Sequence, residues 1–266
     1  MPPKAIRSEQ IRCWKSMRIQ RIRLGERNAA TTQTLRHLAR VRERLVQPQQ
    51  ASELLRLATQ LALEVYGAEH PEYAALLRDW AALYESLGDP DQGRSLATTA
   101  LRILEQQLGR QHPEYALALA TAGRLAQAAG ERDRGQALVR ESLEILGEAL
   151  GNQHPEYLRT LASLGKLYAT GGQSELAEAA LQTALETLPP LIGRRHPEVA
   201  QLLTSLGELY LATQQPEAAA RLLTEACVLL AESVGQDHPD YRTAVRLRDR
   251  AAATLPQAAR PSPPRQ

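Results

Sequence analysis

The sequence has 266 residues, of which 43% are hydrophobic and 23% are charged, so it can bury a core and is not of the disordered class. It lacks phenylalanine and has only 4% aromatic residues, a composition that disfavours an all-β fold. The two cysteines, Cys13 and Cys227, are too few to form a disulfide framework. No apolar run is long enough to span a bilayer. The net charge of +2 excludes a uniformly basic nucleic-acid surface. We therefore expect a helical, cytoplasmic protein that does not associate with a membrane.

Residues 1–27 form a basic segment. They hold eight lysines and arginines but only two acids, Glu9 and Glu26, which gives this segment a charge of +6 and leaves −4 for the rest of the chain. We interpret the segment as an N-terminal arm or an additional helix. Its positive charge is compatible with a solvated segment and also with binding to an acidic partner or a nucleic acid.

The chain beyond this arm is organised by a repeat of 42 residues. The pair His-Pro recurs five times in this register, with a glycine three residues before the histidine and an acidic residue after the proline. Two stretches with apolar residues three and four apart follow each of the first four pairs, which predicts two amphipathic helices per complete unit, and one such stretch follows the fifth pair. Proline suits the first turn of a helix, so we expect the histidine either to cap that helix or to pack between units. The five histidines are His70, His112, His154, His196 and His238.

The register divides the chain into segments. We predict a solenoid over residues 28–255, which starts with a degenerate unit at 28–69 and ends with a terminal cap helix at 238–255. Leu188-Pro189-Pro190 interrupts the second helix of one unit, so that helix should end or kink near Thr187. Residues 256–266 have the composition of a disordered tail. The four complete units are 70–111, 112–153, 154–195 and 196–237.

The repeated columns resemble the tetratricopeptide repeat, in particular the 42-residue form found in kinesin light chains. The segment 109–116 resembles that family's linker between units. The resemblance implies an all-α fold, an α-α superhelix of about six helix-turn-helix units, with a concave face lined by the first helix of each unit. It also implies a protein or peptide partner in that groove. The residues of the first complete unit that carry the resemblance are Leu77, Ala81, Tyr84, Gly88, Gly93 and Ala100.

Four columns of the first helices project onto this concave face, at five, eight, nine and twelve residues after each histidine, and we expect them to be exposed. Their cations concentrate in the N-terminal two-thirds of the groove, which favours an acidic peptide or a C-terminal carboxylate as the ligand. The alternative is a solvated face whose arginines pair with Asp79 and Glu85. The candidate groove residues are Arg36, Arg40, Arg78, Arg124, Arg159, Ser163, Lys166 and Thr204.

The sequence predicts no catalytic, metal or cofactor site. Equivalent histidines of stacked units lie at least about 8–10 Å apart, whereas zinc holds its ligands at about 2 Å. Cys227 occupies a column of leucines, which predicts a buried side chain. No phosphate-binding loop, dinucleotide fingerprint or nucleophile elbow occurs.

These observations predict a non-enzymatic scaffold or adaptor that binds another protein. Two alternatives stay open. One is a nucleic-acid-associated regulator that uses the arm 1–27, and the other is an accessory subunit that positions a catalytic partner. The partner's identity and the oligomeric state are not predicted.

Overall fold

A computed structural model describes residues 29–255, so the expectations for residues 1–27 and 256–266 lie outside the described part of the chain. Within residues 29–255 the regular structure consists of eleven helices of 14 to 19 residues and one helix of four residues. The helices are α1 (Ala29–Arg44), α2 (Pro48–Tyr66), α3 (Pro71–Leu87), α4 (Pro90–Leu108), α5 (Pro113–Ala128), α6 (Arg132–Leu150), α7 (Pro155–Thr170), α8 (Ser174–Thr187), α9 (Pro189–Ile192), α10 (Pro197–Ala212), α11 (Pro216–Ser233) and α12 (Pro239–Thr254).

Each long helix packs against the next one in the chain, which produces five helix pairs and a final single helix, α12. The first helices of successive pairs also contact one another, from α1 with α3 through to α10 with α12. The second helices of successive pairs, such as α2 and α4, contact one another less than the first helices do. The stack therefore curves with the first helices on its inner face. This confirms an α-α superhelix of about six helix-turn-helix units.

The histidine of each His-Pro pair is the N-cap of the helix that follows. Its Nδ1 accepts a hydrogen bond from the backbone N–H two residues later, at 3.1 to 3.3 Å in all five copies. Because Nδ1 is the acceptor, a neutral ring carries its proton on Nε2. The proline is the first helical residue, where its missing N–H costs nothing. The linker thus sets where the first helix of each unit begins.

The turn within each helix pair requires a left-handed backbone. Gly88, Gly130 and Gly172 take φ values of 75° to 87° there. The same column holds Val46 in the first pair and Gln214 in the fifth, with φ values of 55° and 59°. A β-branched residue in this region is strained, so the first pair turns at an energetic cost that the glycine-containing pairs avoid.

Small residues allow the two helices of a pair to approach closely. A Cβ added to Gly135 would lie 2.7 Å from the carbonyl oxygen of Gly123.

Cys227 is only 5% exposed, which confirms its predicted burial. Helix α8 ends at Thr187, as the two prolines predicted, and the short α9 follows.

Candidate functional site

The inner face of the superhelix encloses two adjoining cavities, of about 550 and 430 Å³. We refer to them together as the inner chamber. Both volumes are in the range of ligand-binding pockets. The side chains that line them come from α1, α3, α5, α7 and α10, and from Leu188 after α8, so five units contribute to one space. The residues that border both cavities are Arg40, Glu43, Arg124, Arg159 and Ser163.

The structure brings seven of the eight candidate groove residues together around this chamber. Arg36 and Arg78 line the smaller cavity and Lys166 lines the larger one. Thr204 lies outside the lining of these two cavities, and its hydroxyl donates a hydrogen bond of 2.8 Å to the carbonyl of Ala200. The seven that line the chamber are Arg36, Arg40, Arg78, Arg124, Arg159, Ser163 and Lys166.

Two arginines near the start of the solenoid are neutralised by carboxylates of the following units. Arg36 Nε donates to Asp79 Oδ2 at 2.6 Å, and Arg78 Nη1 donates to Glu114 Oε2 at 2.6 Å. Arg78 also lies 3.5 Å from the second oxygen of Asp79. Burial opposes ionisation of Asp79, but the charges of Arg36 and Arg78 and the hydrogen bond from Arg36 outweigh it and lower the pKa of this carboxyl.

Two further arginines make similar links between units. Arg124 Nε donates to Glu85 at 2.9 Å. Arg159 donates to Glu198 and to Glu156, each at 2.8 Å. Four of the six cations in the candidate set are thus engaged in ion pairs, and they stabilise the stacking of the first helices as well as lining the chamber.

The expectation that the four inner columns are exposed is wrong for several of their members. The first helices lie against one another on the inside of the curve, so side chains of the next unit cover these positions. Arg78, for example, is only 7% exposed. The other inner-column residues that are buried are Ala75, Ala120, Thr121 and Ala162.

Two cations of the chamber, Arg40 and Lys166, form no ion pair among residues 29–255. Both side chains are exposed. The chamber walls still remove part of the hydration of Lys166, and this desolvation lowers the pKa of its ammonium group. Burial, together with the charge of Asp79, raises the pKa of the neighbouring Glu43. Among the charged side chains that line the chamber, these three form no ion pair within residues 29–255.

The sequence interpretation named Asp79 and Glu85 as partners of the arginines, and both are, but it missed three further carboxylates of the chamber. Glu114, Glu156 and Glu198 each follow a His-Pro pair, and this repeated acid was the signal that could have found them. It was attributed to the linker alone. Each of the three in fact lies within hydrogen-bonding distance of a groove arginine.

The C-terminal end of α1 reaches the fifth and sixth units. The carbonyl of Arg44 lies 2.8 Å from His238 Nε2, and the guanidinium of Arg44 lies 3.9 Å from Glu198. Val41 is buried in the same apolar cluster as Val199 and Leu203. The chamber is therefore bounded on one side by a contact between distant units.

Two further features bear on the chemistry available within residues 29–255. No group of three or more His, Cys, Asp or Glu side chains there is arranged to hold a metal ion. No helix of this part of the chain combines the length and the apolar character needed to cross a membrane.

Sequence profiles described as tetratricopeptide repeat match this chain over most of its helical units. One profile matches residues 72–145 and 125–189, and a second matches residues 199–240. No curated protein matches the sequence.

Several solved structures share the architecture. BtubC (BKLC) from P. vanneervenii is 20% identical with a TM-score of 0.60, over 86% of this chain and 92% of that one. A putative kinesin light chain from P. anserina, with nearly identical TPR-like repeats, is 23% identical with a TM-score of 0.53, over 76% and 95% of the two chains. A Rap protein complexed with competence and sporulation factor is 12% identical with a TM-score of 0.67, over 93% and 75%. At these identities the similarity shows the fold alone.

Proposed function

Since the chain belongs to the tetratricopeptide repeat family, we propose that it is a non-enzymatic scaffold that binds an acidic segment of a partner protein in its inner chamber. Folds of this type are typical of protein–protein interaction scaffolds, because stacked repeats present an extended preformed surface. The observation that carries the proposal is the chamber itself, in which five units surround two cations, Arg40 and Lys166, without ion pairs among the described residues.

The charges of the chamber favour an acidic ligand. After the ion pairs between units are taken into account, Arg40 and Lys166 face a single carboxylate without a short-range partner, that of Glu43. An acidic side chain or a terminal carboxylate complements this excess of positive charge. Arginine suits a carboxylate because its planar guanidinium can donate two parallel hydrogen bonds.

The structural comparison gives further support. The Rap protein that shares this fold is complexed with competence and sporulation factor, so a solenoid of this shape is compatible with ligand binding. By the same analogy, the chamber of this chain is the surface on which a partner segment would lie.

A charge reversal within the chamber tests the proposal. Affinity capture is carried out with the wild-type chain, with Arg40→Glu/Lys166→Glu, and with the matched control Arg56→Glu/Arg221→Glu. The control changes the same number of charges on exposed positions of α2 and α11. We expect a partner that binds the wild type and the control and is lost with the chamber variant, while circular dichroism shows equal helix content.

Equal capture by all three proteins would refute the proposal. Capture that depends on nucleic acid, and is lost after nuclease treatment, would instead support the alternative of a regulator that acts through the arm 1–27.

A further inference from the structure

A contact between the first unit and the last two units is not required by the stacking of a solenoid. In a repeat array each unit needs to contact only its neighbours. Here Arg44 contacts residues that lie 152 and 194 positions further along the chain. We propose that this contact, between the C-terminal end of α1 and the N-termini of α10 and α12, is a gate that opens to admit a ligand to the inner chamber. The proposal rests on the proposed function for what enters.

The polar part of the gate consists of few interactions. His238 uses Nδ1 to cap α12, so its protonated Nε2 donates to the Arg44 carbonyl at 2.8 Å. His196 also uses Nδ1 as a cap acceptor, so its Nε2 and the Arg44 Nη2 atom 3.5 Å away are both donors and form no hydrogen bond.

The remaining ion pair of the gate is long and shared. Arg44 lies 3.9 Å from Glu198, whose carboxylate already accepts a hydrogen bond of 2.8 Å from Arg159. The side chain of Arg44 is 42% exposed. Exposed ion pairs of this kind contribute little to stability, so breaking the Arg44–Glu198 pair would cost little. Glu198 would keep its hydrogen bond from Arg159.

The apolar part of the gate is separate from the core that holds the first unit together. Val41 belongs to the cluster of the fifth unit, with Val199, Ala200 and Leu203. By contrast, Leu35 and Ala39 of the same helix pack in a second cluster with α2 and α3. The contact with α10 and α12 can therefore open while Leu35 and Ala39 keep their packing against α2 and α3.

The gate and the ligand-binding cation move together. Arg40 lies one helical turn before Arg44 on α1, and both side chains line the larger cavity opposite Lys166 of α7. Opening of the gate moves Arg40 away from Lys166, and closing brings both cations to the lining of the larger cavity. An acidic group that binds both cations would favour the closed state, because a ligand shifts a conformational equilibrium toward the state it binds better.

A distance measurement on the free protein tests the gate. Spin labels are placed on cysteines introduced at the exposed positions Gln49 and Gln236, in a background with Cys13→Ser. Cys227 is kept, because its side chain is only 5% exposed and belongs to the apolar cluster of the gate. These positions flank the gate contact, and double electron–electron resonance reports their separation. We expect the wild type to show mainly a short distance. In Val41→Asp/Arg44→Glu, which places two carboxylates against Glu198 and the apolar cluster, we expect loss of this short-distance peak to a longer one.

The control Arg56→Glu/Arg221→Glu should keep the wild-type distance. A gate variant with wild-type helix content and an unchanged distance distribution would overturn the inference. Because no partner is added, the result is independent of the capture experiment. Opening without capture would refute only the proposed function, and capture without opening would refute only the gate.

Discussion

The guanidinium of Arg36 donates a hydrogen bond of 2.6 Å to Asp79, and this bond joins the degenerate first unit to the first complete unit. Asp79 also pairs with Arg78, so one carboxylate, only 12% exposed, serves two cations. Replacing Asp79 with Asn would leave both guanidinium groups without this charge. We expect a loss of about 3 kcal/mol in the free energy of unfolding at pH 7, as for broken buried ion pairs. Urea denaturation measures it, and a loss comparable to that of an exposed substitution would contradict this role.

The same carboxylate gives the fold a specific acid sensitivity. The pKa of Asp79 is lower in the folded protein than in the unfolded chain, where it is near 3.9. Its stabilisation is therefore complete above the unfolded pKa and is lost as the pH falls through the lower, folded pKa. Below about pH 4 we expect the wild type to lose stability more steeply than Asp79→Asn. Parallel stability profiles of the two proteins between pH 5 and pH 2 would exclude this assignment.

The sequence predicted the first helix of each His-Pro unit well because the start of that helix is encoded locally. Proline fixes the first turn and histidine caps it, and both repeat every 42 residues. The chamber was less predictable, because its ion pairs join residues such as Arg124 and Glu85 that lie 39 positions apart. Such pairs depend on how tightly the units curve, which no single unit encodes. The contact of Arg44 with His238 depends on the accumulated curvature of the whole stack.

The histidine cap can be tested by two substitutions at one position. His112 Nδ1 accepts from the backbone N–H of Glu114 at 3.1 Å. His112→Ala removes the acceptor and should cost about 1 kcal/mol, the usual value of an N-cap. Asn also accepts a hydrogen bond as an N-cap, so His112→Asn should keep most of the stability. Thermal unfolding compares the three proteins, and equal melting temperatures for Ala and wild type would show that the cap is dispensable.

The strained turn of the first unit predicts a stabilising substitution. Val46 has φ 55° and is 51% exposed, so glycine would remove the strain and little packing. We expect Val46→Gly to raise the free energy of unfolding by about 1 kcal/mol. Val228, 54% exposed in the middle of α11, is the matched control, where the same change should destabilise by about 0.5 kcal/mol. Changes of the same sign in chemical denaturation would refute the strain argument.

The close approach of α5 and α6 predicts opposite effects for two glycines of α6. A Cβ on Gly135 would lie 2.7 Å from the carbonyl oxygen of Gly123, a backbone atom that can move only if the helices separate. We expect Gly135→Ala to destabilise by about 1–3 kcal/mol, although alanine is the better helix former. At Gly147 the nearest atom is the flexible Asn152 side chain, 2.9 Å away, so Gly147→Ala should be neutral or stabilising. Destabilisation by both to the same extent would show that the contact with Gly123 is not limiting.

Lys166 should show a conflict between stability and binding. Desolvation lowers the pKa of its ammonium group, so below the unfolded pKa of about 10.4 the charged form is less stable in the folded chain than in the unfolded one. Lys166→Met removes this cost, which is small because the side chain is exposed to water in the chamber. We expect a gain of a few tenths of a kcal/mol at pH 7 that disappears as the pH rises toward 10, together with weaker capture of an acidic partner. Arg221→Met, on the exposed face of α11, should change neither property. A Lys166→Met chain that binds its partner as well as the wild type would remove Lys166 from the ligand site, whatever its effect on stability.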